Sequence, residues 1–374
     1  MSAQEDRIRI GITQGDINGV GLEIIVKALE NSDILELFTP VVIGSRDLLE
    51  KTARNLRVED FDINPIADAD DIEDGRINVY DISEGADRQT PGVASREGGK
   101  AAVAALEAAA RLMNTGAFDL LVTAPIDKHT VQGDGFRFPG HTEYLEEKFA
   151  VEGGKALMIL AYDNLRVSLV TTHLPMADVP AHITKERVME AIKDFNRALK
   201  MDFGCERPRI AVLSFNPHCG DNGTIGKEEL DVIIPALEEC KKEGIIALGP
   251  VAADGLFGSG GYRNFDGVLA MYHDQGLAPF KALVGSSGIN FTAGLNIVRT
   301  SPDHGTAYDI AGKGVADETS MRQALYAAID IARRRDRYLE ASENPLQIRV
   351  PEPRGKKQMK EKDASDHTDL ARGE

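Results

Sequence analysis

The sequence predicts an α/β fold of two domains around a largely parallel sheet, and three observations carry that reading. Short apolar runs alternate with amphipathic helical segments along most of the chain, the pattern of strands joined by helical crossovers. At 374 residues the chain is long for one compact core, so two domains are expected. Apolar residues at 42% and charged residues at 28% are ordinary globular proportions.

Taken in order, Arg7–Thr13 (RIRIGIT) reads as a strand, followed by a glycine turn and a helix over Leu22–Asn31. Pro40–Gly44 is a second strand, with a helix over Arg46–Asn55 behind it. Gly98–Asn114 is rich in alanine and leucine, both strong helix formers. Further strands are expected at Leu120–Thr123, Ala156–Ala161, Arg166–Thr171, Arg209–Ser214 and Val268–Tyr272. Lys185–Lys200 and Lys227–Glu243 read as amphipathic helices. Asp60–Asp87 is acidic and broken, and is expected to form a peripheral, strand-poor edge. The charged stretch 344–374 has no aromatic residue; it offers too little apolar surface to offset its ordering entropy, so a disordered tail is expected.

Charge and cysteines narrow the function. A net charge of −17 disfavours a nucleic-acid binder, which needs a basic face. Cys205, Cys219 and Cys240 make no CxxC and no even framework, as expected in a reducing compartment. Met1–Arg9 is charged and lacks the apolar core of a signal peptide. No apolar run approaches the ~18 residues of a membrane span. The expectation is a cytoplasmic protein with neither nucleic acid nor membrane as partner.

In open parallel sheets, ligands bind beyond the carboxyl ends of strands. Five predicted strands here run into polar, turn-rich loops: ITQGDINGVG, TAPIDK, TTHLP, SFNPHCGDNG and MYHDQG. Three of the eight histidines, His173, His218 and His273, fall in such loops. Neutral imidazoles suit zinc or another divalent ion, and an open coordination position would polarise a substrate oxygen. Taken singly, a loop histidine serves equally well as a turn hydrogen-bonder. Asp254 reads either as a helix cap or as an active-site acid. Lys281 and Arg299 are surface charges, or partners for a phosphate or carboxylate beside the apolar, glycine-bearing stretch SSGINFTAGLNIVRTS. His141 and Thr142 open a helix with Thr142 as its cap, or present donors to an anion at that helix N-terminus. Cys219 reads as packing. Gly15, Gly19 and Gly21 do not make GxGxxG, and the second strand ends in Gly44-Ser45 rather than an acid. That excludes a Rossmann dinucleotide site.

The segments GDINGVGLE (15–23), LVTAPIDK (121–128), GHTEYL (140–145), TTHLP (171–175), NPHCGDNGTIGKEE (216–229), MYHDQGLAPFK (271–281) and GINFTAGLNIVRTSPDHGTAYDIAGKG (288–314) run in one order. Together they resemble the 4-hydroxythreonine-4-phosphate dehydrogenases of the PdxA family. HGTAYDIAGKGVAD also resembles the adenosine-binding segment of isopropylmalate and isocitrate dehydrogenases. The resemblance implies that non-Rossmann fold: two α/β/α domains sharing a central sheet, with the active site in the cleft between them. The domains would be 1–134 plus 285–343, associated with nucleotide, and 135–284, carrying metal, substrate and dimer contacts.

The implied activity is NAD- or NADP-dependent oxidation of 4-phosphohydroxy-L-threonine at its C3 hydroxyl. The keto acid product then loses CO2 to give 3-amino-2-oxopropyl phosphate, on the way to pyridoxal phosphate. Carried over by position, His173, His218 and His273 hold a divalent metal (zinc, cobalt, manganese or magnesium). His141, Thr142, Lys281, Asn290 and Arg299 bind substrate. His304, Gly305, Asp309 and Gly312 fall in the cofactor segment, and Asp254 and Lys281 are candidate proton acceptors. The family also implies a homodimer whose active site is shared between subunits. Alternatives on the same residues are oxidation of D-threonate or D-erythronate 4-phosphate or of a cis-dihydrodiol, and, more distantly, a metal-dependent aldolase or an acyltransferase.

Overall fold

Twelve strands join into one continuous sheet in the computed structural model, which describes residues 7–83, 88–132, 136–151 and 154–344. The tail expected beyond Asn344 lies outside the described residues.

The first half of the chain lays down strand β1 (Arg9–Thr13), helix α1 (Gly21–Leu29), β2 (Thr39–Gly44), α2 (Arg46–Leu56), β3 (Ile63–Ile66) and β4 (Ile77–Asp81). It continues with α3 (Arg96–Asn114), β5 (Leu120–Thr123), α4 (Lys128–Val131) and α5 (His141–Phe149). Next come β6 (Leu157–Tyr162), β7 (Leu165–Leu169), α6 (Val179–His182), α7 (Lys185–Met201) and β8 (Arg209–Leu213). The remainder is α8 (Ile234–Lys242), β9 (Ile246–Val251), α9 (Ala253–Gly258), β10 (Gly267–Ala270), α10 (His273–Val284), β11 (Ile289–Ala293), β12 (Val298–Pro302) and α11 (Thr319–Glu343).

Local chemistry explains the helix starts. The side chains of Ser45, Ser95 and Thr184 accept backbone N–H groups at the starts of α2, α3 and α7, satisfying donors that a helix leaves free. The buried face of α3 is made of Gly98, Gly99 and a series of alanines, so the helix backbone lies close to the sheet. Gly15, with φ of 69°, sits where a Cβ would run into the carbonyl oxygen of Pro125. The glycines after β1 therefore allow close loop packing, consistent with the absence of a Rossmann fingerprint.

Strand order is β3-β4-β2-β1-β5-β12-β11-β6-β7-β10-β8-β9. Three adjacent pairings, β12–β11, β11–β6 and β6–β7, are antiparallel, and the others are parallel. The consequence corrects one expectation. Strands β1 and β5 point opposite to β7, β8 and β10, so the five polar loops do not share one sheet edge. Only the three histidine loops do.

Other expectations also shift. Asp60–Asp87 is a sheet edge but not strand-poor: β3 and β4 lie in it, buried through Ile63, Ile66, Ile77 and Val79. The short apolar content of these strands hid them among acids. The helix expected from Lys227 opens instead as a π-helical turn over Glu229–Ile233 before α8. Gly140, not Thr142, occupies the N-cap of α5, and Ala252, not Asp254, that of α9.

Candidate active site

Where the oppositely directed strand sets meet, the sheet carries a cavity of about 430 Å³. Its floor comes from β5, β12, β11 and β6, and its walls from the starts of α4, α5 and α10. His141, Thr142, His173, His273, Lys281, Asn290, Arg299, His304 and Gly305 all line it. The cavity thus collects most of the sequence-predicted site residues from segments far apart in the chain, His141 to Gly305.

Arg299 defines one end. It is 2% exposed, and its guanidinium donates to Thr123 Oγ1 at 2.6 Å and to Thr292 Oγ1 at 2.9 Å. Burial pushes its pKa down to about 10, with Glu143 acting in the opposite direction. The charge persists at neutral pH, held by hydroxyls alone. Asn290 Oδ1, in the lining of the same cavity, is buried with no hydrogen-bond partner among the described residues. A buried polar atom without a partner is costly unless a ligand meets it. The first turn of α5 adds free N–H groups, because Gly140 provides no side-chain cap. His141 opens that turn; burial, then the charges of Arg299 and Lys128, hold its pKa well below the ordinary histidine value. A neutral His141 beside a buried cation makes an anion-receiving wall.

The other end carries two imidazoles. The rings of His173 and His273 lie 5.9 Å apart, centroid to centroid. β7 and β10 are parallel neighbours, so the loops that follow them emerge together. Burial first, then Lys128, lowers the His173 pKa and keeps the ring neutral. His273 Nδ1 is 3.2 Å from Asp274 Oδ2, which leaves Nε2 with a free lone pair when Nδ1 carries the proton. Lys281 is engaged by Asp303, through its carbonyl at 2.9 Å and its carboxylate at 3.2 Å.

Several predicted residues lie elsewhere. His218 does not line the cavity, and among the described residues no three His, Cys, Asp or Glu side chains of the single chain form a metal-binding cluster. Its loop sits one strand further out, after β8. There His218, Cys219, Asp221 and Asn222 all have positive φ, between 44° and 54°. Such a run of left-handed non-glycine residues costs roughly 1–2 kcal/mol each, and strain of this kind concentrates at functional sites. Glu229, 1% exposed, fixes the loop by accepting Phe215 N, Asn216 N and Asn216 Nδ2 at 2.7–2.9 Å. Asp254 is exposed on α9 and does not line the cavity. Cys219 Sγ meets the carbonyl of Pro250 at 3.5 Å, a packing role.

The cofactor segment spans two cavities. His304 and Gly305 line the main one, whereas Gly312 lines a second, of about 260 Å³, with α1 and α2. Asp309 is exposed and lines neither.

Sequence reasoning missed Lys128, Glu143, Thr123 and Asp303, all in the cavity wall. Thr123 and Lys128 belong to the TAPIDK strand-end loop, where loop membership was the available signal; Glu143 lies in α5 and Asp303 follows β12, each beside residues that were singled out.

Comparison with known proteins gives the family. The sequence model described as "Pyridoxal phosphate biosynthetic protein PdxA" matches residues 36–328. A 4-hydroxythreonine-4-phosphate dehydrogenase of Bacteroides thetaiotaomicron is 51% identical over 94% of this chain and 96% of its own length. A protein of Oceanobacillus iheyensis, provisionally described as a D-threonate 4-phosphate dehydrogenase, is 42% identical over 86% of this chain and 97% of its own. The crystal structure of a 4-hydroxythreonine-4-phosphate dehydrogenase from Burkholderia phymatum superposes with a TM-score of 0.70 at 40% identity, over 87% of this chain and 98% of that one. With the matched residues covering most of the chain and the fold shared at that level, this chain belongs to the PdxA family of pyridoxal phosphate biosynthetic proteins.

Proposed function

We propose that this protein oxidises the C3 hydroxyl of 4-phosphohydroxy-L-threonine, using NAD or NADP and a divalent metal, within pyridoxal phosphate biosynthesis. The observation that carries the reading is one cavity holding a buried cation with hydroxyl partners, Arg299, together with two imidazoles, His173 and His273. The first suits a phosphate. The second suits a metal-held hydroxyl, and the closely related dehydrogenase of Bacteroides thetaiotaomicron bears the matching name.

The reaction balances as follows. The C3–H bond gives its electron pair to the nicotinamide as hydride, the hydroxyl proton leaves, and the C3 carbonyl forms. The resulting β-keto acid then breaks its C1–C2 bond, releasing CO2. A divalent ion bound by the imidazoles would supply Lewis acidity at the hydroxyl oxygen.

The chain's own side chains do the positioning. Arg299, Asn290 and the first turn of α5 hold the phosphate, and their fixed placement orients C3 towards the imidazoles. The carboxylate of Glu143 also lines the cavity, within electrostatic reach of His173 and Arg299. It offers a counter-charge for the substrate ammonium, which D-threonate 4-phosphate lacks. His304 and Gly305 face the nicotinamide end of the cofactor, and the cavity at Gly312 accepts its adenosine end.

His173 and His273 supply two imidazole ligands, and zinc, cobalt, manganese and magnesium remain compatible with them. The third ligand, His218, would come from the second subunit of a homodimer, since its own chain turns it away from the cavity. Among the described residues no helix is long and apolar enough to cross a membrane, which suits the proposed cytoplasmic site of action.

The test is reduction of NAD+ and NADP+ with 4-phosphohydroxy-L-threonine, set against D-threonate 4-phosphate. Turnover of the amino acid is expected. Turnover of D-threonate 4-phosphate alone would replace this substrate with the second reading, for which the relative from Oceanobacillus iheyensis speaks.

A further inference from the structure

Lys128 occupies the first position of α4, fixed by Asp127, whose carboxylate accepts His129 N and Thr130 N. From there its side chain enters the main cavity and brings Nζ within 3.0 Å of His173 Nε2. Among the described residues Lys128, Lys281 and Arg299 are the lysine and arginine side chains lining this cavity, and they differ in what holds them. Lys281 is already engaged by the Asp303 carboxylate. Arg299 is locked into the wall by Thr123 and Thr292. Lys128 is exposed, and its ammonium contacts an imidazole.

We propose that Lys128 is a substrate-binding residue whose ammonium takes the substrate carboxylate on the His173 side of the cavity. This rests on the functional reading above, in which the substrate is a phosphorylated hydroxy amino acid. The order of its atoms fixes the geometry. With the phosphate on C4 at Arg299 and the C3 hydroxyl at the imidazoles, C1 lies two bonds beyond C3, on the His173 side. The Lys128 ammonium, 3.0 Å from His173 Nε2, is on that side. A charged carboxylate is a stronger acceptor for an ammonium than a neutral imidazole. The flexible four-carbon stem allows Nζ to exchange one for the other. Lys128 thereby fixes the direction in which the substrate lies: a molecule with its phosphate at Arg299 but no carboxylate would be held at one end only.

The test compares the full-length protein with Lys128→Met and Lys128→Arg. Two ligands are titrated by calorimetry: 4-phosphohydroxy-L-threonine and its decarboxylated analogue, 3-amino-2-hydroxypropyl phosphate. Lys128→Met is expected to weaken binding of the amino acid roughly ten- to hundredfold, the loss typical of a hydrogen bond to a charged group. It should raise KM more than it lowers kcat. Binding of the decarboxylated analogue should not change, and Lys128→Arg should recover most of the affinity for the amino acid. Equal losses for both ligands would show that Lys128 acts only through His173 and would overturn the proposal, as would no loss for either. Wild-type protein that neither binds nor oxidises the amino acid would overturn the functional reading itself, a result that needs no variant.

Discussion

Arg299 on β12 places Nη2 2.6 Å from Thr123 Oγ1 on the neighbouring strand β5, and its Nη1 2.9 Å from Thr292 Oγ1 on β11. A guanidinium buried on hydroxyls keeps its charge but loses its water, which is why its pKa falls to about 10. The folded pKa lies below the unfolded one. The cost to folding is therefore fully present below about pH 10 and fades only as pH rises towards the unfolded value. At neutral pH the ligand-free protein carries this cost, and a bound anion would relieve it. Arg299→Met is expected to leave the melting temperature unchanged or raised without ligand. It should also reduce the upward shift produced by inorganic phosphate and raise KM at least about tenfold. Thermal melts with and without phosphate check this. A variant that melts far lower yet keeps its full phosphate response would refute the assignment.

His173 and His273 share a cavity that His218 does not line, so an interface between subunits has a direct genetic test. His218→Ala and His273→Ala should each be inactive alone as homodimers. In a mixed dimer, one site would combine the intact His273 of one chain with the intact His218 of the other. Random reassociation of equal amounts should restore about one quarter of wild-type sites, by the symmetry of a two-fold dimer. No recovery after denaturation and refolding of the mixture would place all three ligands in one chain, or none of them on the metal.

Much of this site was legible because chemistry-bearing residues stand at strand ends, where loops need turn residues and ligands find backbone donors. His173 and His273 could be paired from the sequence for that reason. Arg299 stood out in the sequence as a cation beside an apolar, glycine-bearing stretch, whereas Asn290 was reached only through the family motif: it lies inside a strand, where nothing in a single sequence marks a side chain as facing a cavity. The reversal of direction between β12 and β7 was hidden for a related reason. It arises from three successive antiparallel pairings, β12–β11, β11–β6 and β6–β7, and these strands have the same short apolar character as the parallel ones. Lys128 was passed over because an exposed lysine in a loop is common, and only the fold shows that it points at His173.

Glu229 accepts three hydrogen bonds from Phe215 and Asn216, so it holds the left-handed stretch that carries His218. Glu229→Ala removes the acceptor and leaves two backbone donors buried. The expected cost to stability is about 2–4 kcal/mol, with a larger effect on metal affinity than on the fold. Equilibrium denaturation and metal titration of the variant separate the two. Wild-type metal affinity in a destabilised Glu229→Ala would show that the loop keeps its shape without this carboxylate, and that the positive φ values are fixed by other contacts.

Asp202, at the C-terminal end of α7, is fully buried, and Arg335 of α11 reaches it with Nε 2.9 Å from Oδ1. Arg335 Nη1 also donates to the carbonyls of Leu295 and Ile297, so one side chain ties two helices to the turn between β11 and β12. Burial raises the Asp202 pKa, and Arg335 opposes that rise. Arg335→Met would leave a buried carboxylate without its cation, a change that costs about 3–5 kcal/mol in comparable pairs. The sign of the pH dependence follows from the same shift. With Arg335 gone, the folded pKa of Asp202 moves further above its unfolded value. Stability of the variant should then fall as pH rises between those two values, because only the unfolded chain ionises freely. The deficit relative to wild type should be larger at neutral pH than near the carboxylate range. Adding Asp202→Leu should recover much of it, since an apolar pair removes the stranded charge. Urea melts of the single and double variants at pH 5 and pH 7 measure both effects, and a deficit that grows on acidification would contradict this account of the pair.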